Sequence, residues 1–62
     1  MKSIIEILSN QSEVEFSKGK EILFVRVYSD GKVKVENENV LKFFDSIEKA
    51  STYLIDNEFT NF

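Results

Sequence analysis

The chain has no cysteine and no histidine among its 62 residues. Their absence excludes disulfides, thiolate nucleophiles, imidazole bases and the usual ligands of zinc and similar metals. The remaining reactive groups, carboxylates, lysines and tyrosines, need a water-excluding pocket, and a chain this short has little interior from which to build one. We therefore predict no catalytic residues, no metal site and no cofactor, and a protein that is not an enzyme.

The sequence also lacks a long apolar run. No stretch approaches the roughly 18 consecutive apolar residues that a membrane-spanning helix needs. The start of the chain places Glu6 where a signal peptide would continue with apolar residues. We expect no membrane partner, and a cytoplasmic location follows by default.

The apolar content is nevertheless sufficient for one folded domain spanning residues 1–62. Apolar residues make up 42% of the chain and charged residues 31%, which argues against intrinsic disorder. The formal net charge is -3, and residues 36–62 carry six acids against two lysines. Because duplex nucleic acid is bound through clusters of cations, this balance argues against such a partner.

The first 20 residues predict a helix and a strand. Ser3 and Glu6 have the spacing of a capping box, so we expect a helix over residues 4–10, although alternation over residues 5–9 leaves a strand as the alternative. Residues 13–17 alternate between polar and apolar types and predict a half-buried strand. The apolar side chains that share one face of the helix are Ile4, Ile5 and Leu8.

Residues 21–36 give the clearest signal, a β-hairpin with a turn at Asp30 and Gly31. A two-residue loop would set Val27 against Lys34 and mix apolar and charged side chains on both faces. A three-residue loop over residues 29–31, with Gly31 in the left-handed region, instead pairs valines with valines, and we predict this register. The predicted pairs are Val27 with Val33 and Val25 with Val35.

That register leaves the hairpin with an outward face that is half apolar and half charged. Three explanations stay open: the first helix or the tail covers it, a second copy of the chain covers it, or a partner binds there. Its residues are Ile22, Phe24, Arg26, Tyr28, Lys32, Lys34 and Glu36.

Residues 40–44 fit two structures. In the favoured one they form a fourth strand, and Asp45 caps a helix over residues 46–57 with Glu48 at the capping-box position. In the other, Asn39 caps a single helix that begins at Val40. In both, the side chains that face the sheet are Ile47, Ala50 and Leu54, with Tyr53 at the edge.

The tail, residues 58–62, is too short to form an element. We expect Phe59 and Phe62 to fold back onto the core, with exposed anchors as the alternative. The whole chain thus predicts an α+β fold. It is a small antiparallel β-meander of three or four strands, with a short N-terminal helix and a C-terminal helix packed on one face.

Two acidic features have simpler explanations than a reactive site. Glu13 and Glu15 share a strand face, but no third ligand is placed by spacing, so a solvated face accounts for them. Asp30 lacks the other acids of a calcium-binding loop, and turn chemistry accounts for it.

The predicted order of helix, three strands and helix resembles double-stranded RNA-binding domains. Residues 45–50, Asp-Ser-Ile-Glu-Lys-Ala, stand where that family has its basic motif, which argues against the same function. The pattern over residues 2–50 also resembles small phage-encoded anti-CRISPR proteins that inhibit a type II CRISPR effector nuclease. It comprises a short amphipathic helix, the run Leu-Phe-Val-Arg-Val at 23–27 leading to Asp-Gly, the run Glu-Asn-Glu-Asn at 36–39, and a helix.

The resemblance to anti-CRISPR proteins implies that acids on the hairpin and the following loop occupy a DNA-gripping site. Those acids map onto Asp30, Glu36 and Glu38, whereas Lys32 and Lys34 depart from the family pattern and argue against DNA mimicry.

We therefore predict a non-catalytic protein-binding module, a small phage or mobile-element regulator that occludes a host protein. The alternatives are a single-stranded nucleic-acid-binding protein, because aromatic and basic residues alternate on the hairpin, and a structural homodimer. The predicted contact residues are Phe24, Arg26, Tyr28, Asp30, Lys32, Lys34, Glu36 and Glu38.

Overall fold

A computed structural model describes residues 3–61 of the chain. Five antiparallel strands form one sheet in the order β4-β3-β2-β1-β5, and two helices pack on one side of it. The predicted α+β architecture is confirmed, and a fifth strand is added to it. In chain order the elements are α1 (Ile4–Asn10), β1 (Glu13–Lys18), β2 (Glu21–Val27), β3 (Val33–Glu36), β4 (Leu41–Phe44), α2 (Ile47–Asp56) and β5 (Thr60–Asn61).

The hairpin of β2 and β3 has the predicted register, with Val27 opposite Val33 and Val25 opposite Val35. The Gly31 amide donates to the Tyr28 carbonyl at 2.9 Å, which closes the turn. Gly31 has φ +92°, in the region that favours glycine, as predicted. This register turns the valines towards the helices and the alternate residues away from them.

α1 begins as predicted, because Ser3 Oγ accepts a hydrogen bond from the Glu6 amide at 3.2 Å. The predicted apolar face is wrong at Ile5, which is 44% exposed, whereas Ile7 packs against the core. The helical repeat of 3.6 residues explains the difference. The residues that face the core follow the i, i+3, i+4 spacing: Ile4, Ile7 and Leu8.

β4 confirms the favoured interpretation of residues 40–44 as a strand. The predicted cap of the next helix is wrong by one residue, because Ser46 Oγ, not Asp45, accepts from the backbone, at 3.2 Å from the Lys49 amide. Glu48 is consequently not at the capping-box position. Asp45 Oδ2 instead lies 3.9 Å from Lys49 Nζ.

The tail does form an element, contrary to the prediction. The amides of Glu58 and Phe59 donate to the carbonyls of Ile55 and Leu54, at 3.0 and 2.9 Å, and so end α2 in a Schellman motif. The chain then turns back, and β5 pairs with β1. Phe59 is buried, as predicted, whereas the prediction for Phe62 lies outside the described residues.

One hydrophobic core lies between the sheet and the helices. The predicted core face of α2 is confirmed, since Ala50 and Leu54 are fully buried and Ile47 packs against them. No helix within residues 3–61 has the length and apolar character needed to cross a membrane. The buried side chains of the core are Leu8, Val14, Phe16, Leu23, Val25, Val33, Val35, Ala50, Leu54 and Phe59.

Candidate functional site

The side of the sheet opposite the helices carries several large apolar side chains that no part of residues 3–61 buries. We call this side the open face, formed by the outward-pointing residues of β1 to β4 together with Tyr28. Its four aliphatic and phenyl side chains are between 41% and 66% exposed. They are Ile22, Phe24, Leu41 and Phe43.

The strand register arranges the open face in two rows that run across the strands. Outward side chains on neighbouring antiparallel strands are close enough to interact along such rows. Apolar and charged groups are therefore neighbours on this face. One row contains Glu13, Arg26, Lys34 and Phe43, and the other contains Glu15, Phe24, Glu36 and Leu41.

Both cations of the open face lie beside carboxylates. Arg26 Nε is 3.8 Å from Glu13 Oε1, and Lys34 Nζ is 3.5 Å from Glu36 Oε1. The guanidinium carbon of Arg26 also lies 5.6 Å from the centre of the Tyr28 ring, within cation-π distance. The pair of Arg26 and Glu13 is exposed, and an exposed ion pair contributes only about 0–1 kcal/mol, so a partner could rearrange it at little cost.

Two open depressions on this face meet at Phe24. The first lies over β1 to β3 and is bordered by Arg26, Lys34 and Glu36. The second lies towards the β3–β4 loop and is bordered by Ile22 and Glu38. Neither is enclosed, so both suit the side chains of a macromolecule better than a sequestered small molecule.

The structure brings together half of the eight predicted contact residues. Phe24, Arg26, Lys34 and Glu36 are neighbours on β2 and β3, and Tyr28 and Lys32 flank them at the β2–β3 turn.

The three predicted acids, Asp30, Glu36 and Glu38, are spread from the turn before β3 to the loop after it. Asp30 lies in the turn before this strand and Glu38 in the loop after it. The strand itself spans about 10 Å, at roughly 3.3 Å per residue. Asp30 Oδ1 accepts a hydrogen bond from the Lys32 amide at 3.0 Å, which gives this acid a role in the turn.

Sequence reasoning missed Leu41 and Phe43, the two most exposed large apolar residues of the open face. The signal was present in the alternation of residues 40–44. It was ambiguous because the same residues also fit a helix, in which Phe43 would be a core residue. Only the pairing of β4 with β3 places both side chains beside Lys34 and Glu36.

The open face can bind through apolar contact, cation-π contact and charge pairing. Within residues 3–61, no group of three or more acidic, histidine or cysteine side chains is placed to hold a metal ion. Comparison with protein-family models, curated proteins and solved structures finds no match to the chain.

Proposed function

We propose that the protein is a non-catalytic binding module whose open face occludes a surface of a host protein. The observation that carries the proposal is the exposure of Phe24, Leu41 and Phe43 beside Arg26 and Tyr28 on a single sheet face. Phenylalanine, tyrosine and arginine are enriched at the centres of protein interfaces. Contiguous exposed apolar groups with polar neighbours also mark interaction surfaces in small proteins.

The charges of the open face favour a protein over a nucleic acid. Of the three cations predicted on this face, Arg26 and Lys34 each lie within 4 Å of a carboxylate and Lys32 lies at the β2–β3 turn, while a third acid, Glu15, shares the face. A phosphate backbone needs cations that are not already neutralised. The open face, with its apolar groups and paired charges, instead suits a protein surface that also has both apolar and charged groups.

The narrower form of the proposal is a small regulator encoded by a phage or a mobile element. Its support is the sequence pattern shared with anti-CRISPR proteins and the balance of charge on the open face. Because Asp30, Glu36 and Glu38 are spread along β3, occlusion would depend on the contact surface itself and not on imitation of DNA. The expected partner is a protein of the host cytoplasm.

The first prediction tests the open face by quantitative capture from an extract of the source cell, followed by a direct titration of each captured protein. Phe24→Ala and Arg26→Glu should each lower the affinity for the true partner by about tenfold or more, as expected for residues at an interface centre. The matched controls lie on α2, on the other side of the molecule: Ile55→Ala, where the side chain is 59% exposed, and Lys49→Glu. Both controls should bind as the original chain does.

Circular dichroism of each variant separates a lost contact from a lost fold. Equal affinity for all four variants would remove the open face from consideration. A single-stranded oligonucleotide is titrated in parallel at several salt concentrations. Tight binding that weakens steeply with salt would replace the proposal with nucleic-acid recognition.

A further inference from the structure

On three of its four strands, the open face has complementary pairs about a line that crosses the strands. The backbones of Val14, Val25, Val35 and Lys42 are register partners and lie side by side on β1 to β4. On each strand, the outward residues immediately before and after this line form a pair. The pairs are Glu13 and Glu15 on β1, Phe24 and Arg26 on β2, Lys34 and Glu36 on β3, and Leu41 and Phe43 on β4.

A half-turn about an axis parallel to that line and midway between two facing sheets places a second open face on the first and reverses the direction of every strand. Each outward residue then meets the other member of its own pair. Lys34 meets Glu36, Phe24 meets the Arg26 guanidinium, and each such contact occurs twice. Leu41 likewise meets Phe43, and further from the line Ile22 meets Tyr28.

We propose that the open face is covered by a second copy of the chain, in a two-fold dimer with the two sheets packed face to face. Aligned sheets of this kind form the interior of β-sandwiches, and an interface that uses one surface twice must be complementary to itself. Since the same face is the proposed host-binding surface, the dimer is its resting form and dissociation exposes it. This last step rests on the proposed function, whereas the dimer does not.

On three of the four strands, β2, β3 and β4, the half-turn brings complementary side chains together. On β1 the half-turn instead brings Glu13 towards Glu15, and this contact between like charges weakens the dimer and makes it reversible.

The second prediction uses the pair on β3, measured by sedimentation equilibrium over a range of concentrations. Lys34→Glu leaves two acids on β3, and Glu36→Lys leaves two lysines, so each variant alone meets like charge across the interface. Each should dimerise about tenfold or more weakly than the original chain, because two opposite-charge contacts become two repulsive ones. An equimolar mixture of K34E and E36K should recover dimer with nearly the original affinity, because unlike charges again meet between the chains.

The mixture distinguishes contacts between chains from the ion pair between residues 34 and 36 of one chain. Neither variant can form that internal pair, so any dimer that mixing recovers must come from contacts between the chains. The doubly substituted chain, K34E with E36K, should also dimerise normally, whereas a host protein with fixed charges should bind it poorly. A mixture that dimerises no better than either variant would overturn the proposal. An original chain that stays monomeric up to about 1 mM would do the same, and the capture experiment would still decide the proposed function.

Discussion

At the scale of single residues, Glu58 has a backbone conformation that its side chain disfavours. It has φ +62° at the end of α2, a position that helices usually give to glycine. The Schellman hydrogen bonds around it hold this conformation and direct Phe59 into the core. The cost of the left-handed region is about 1–2 kcal/mol for a residue with a Cβ.

The third prediction is that Glu58→Gly increases the free energy of unfolding. We expect a gain of about 0.5–1 kcal/mol, because relief of the left-handed conformation outweighs the extra freedom of glycine in the unfolded chain. Urea unfolding followed by circular dichroism measures it. The control is Glu38→Gly in the exposed β3–β4 loop, where φ is not positive and no gain is expected. Equal effects of the two substitutions would contradict the strain at Glu58.

Residue types explain why the left-handed conformation of Gly31 was predictable and that of Glu58 was not. Gly31 follows Asp30 between two β-rich runs, and only the three-residue loop pairs Val27 with Val33. Glu58 carries no such signal, because glutamate is neither a turn residue nor a helix terminator. The structure of the tail therefore depends on tertiary packing of Phe59, which local sequence does not encode.

At the scale of elements, the start of α2 is fixed by a choice between adjacent capping residues. Asp45 and Ser46 both suit an N-cap, and the capping-box spacing to Glu48 favours Asp45. In the structure Ser46 is the cap and Ile47 the first helical residue. Pairing of Val33 with Phe44 fixes the end of β4, so the helix begins where the strand leaves room for it.

The fourth prediction compares the two capping candidates. Ser46→Ala should lower the free energy of unfolding by about 1 kcal/mol, because the Lys49 amide loses its acceptor. Asp45→Ala should cost less than half as much, since it removes only an exposed ion pair with Lys49. Thermal and urea unfolding of both variants measure the difference, and a larger loss for Asp45→Ala would place the cap where the sequence alone suggested.

Elements that local sequence patterns specify were predicted better than elements that depend on contacts distant in the sequence. β1 to β3 follow from alternation and turn residues, and β2 and β3 position Phe24, Arg26, Lys34 and Glu36 on the open face as the hairpin register requires. β5 is two residues long and exists only because it pairs with β1. A pattern of two residues cannot specify a strand, so β5 could not be predicted from the sequence.

At the scale of the whole molecule, the two faces of one sheet have different roles. The inner face supplies most of the core, including Phe16, which is fully buried. The outer face presents Phe24 on the neighbouring strand with 54% of its surface exposed. A chain of 62 residues has a free energy of unfolding of roughly 3–9 kcal/mol, at 0.05–0.15 kcal/mol per residue.

The fifth prediction follows from that difference. Phe16→Ala should cost about 3–5 kcal/mol, as for other buried phenylalanines, and this is at least about a third of the free energy of unfolding. Phe24→Ala should change the free energy of unfolding by less than about 1 kcal/mol. Circular dichroism and urea unfolding measure both, at a protein concentration low enough for the original chain to be monomeric. A large loss of stability for Phe24→Ala would mean that the monomer itself needs this side chain. Phe24 would then not be available to contact a partner.

The order of the strands also bears on how the chain reaches this structure. β1 to β4 each pair with their neighbours in the sequence, so their ends meet after closure of short loops. β5 must instead find a strand far back in the chain, and Thr60 Oγ1 reaches the Ser17 carbonyl, 43 positions earlier, at 3.4 Å. We therefore expect the meander to form first and β5 to pair with it last. We also expect β5 to be the first strand to separate, which would let water reach Phe59 while β1 to β4 stay paired.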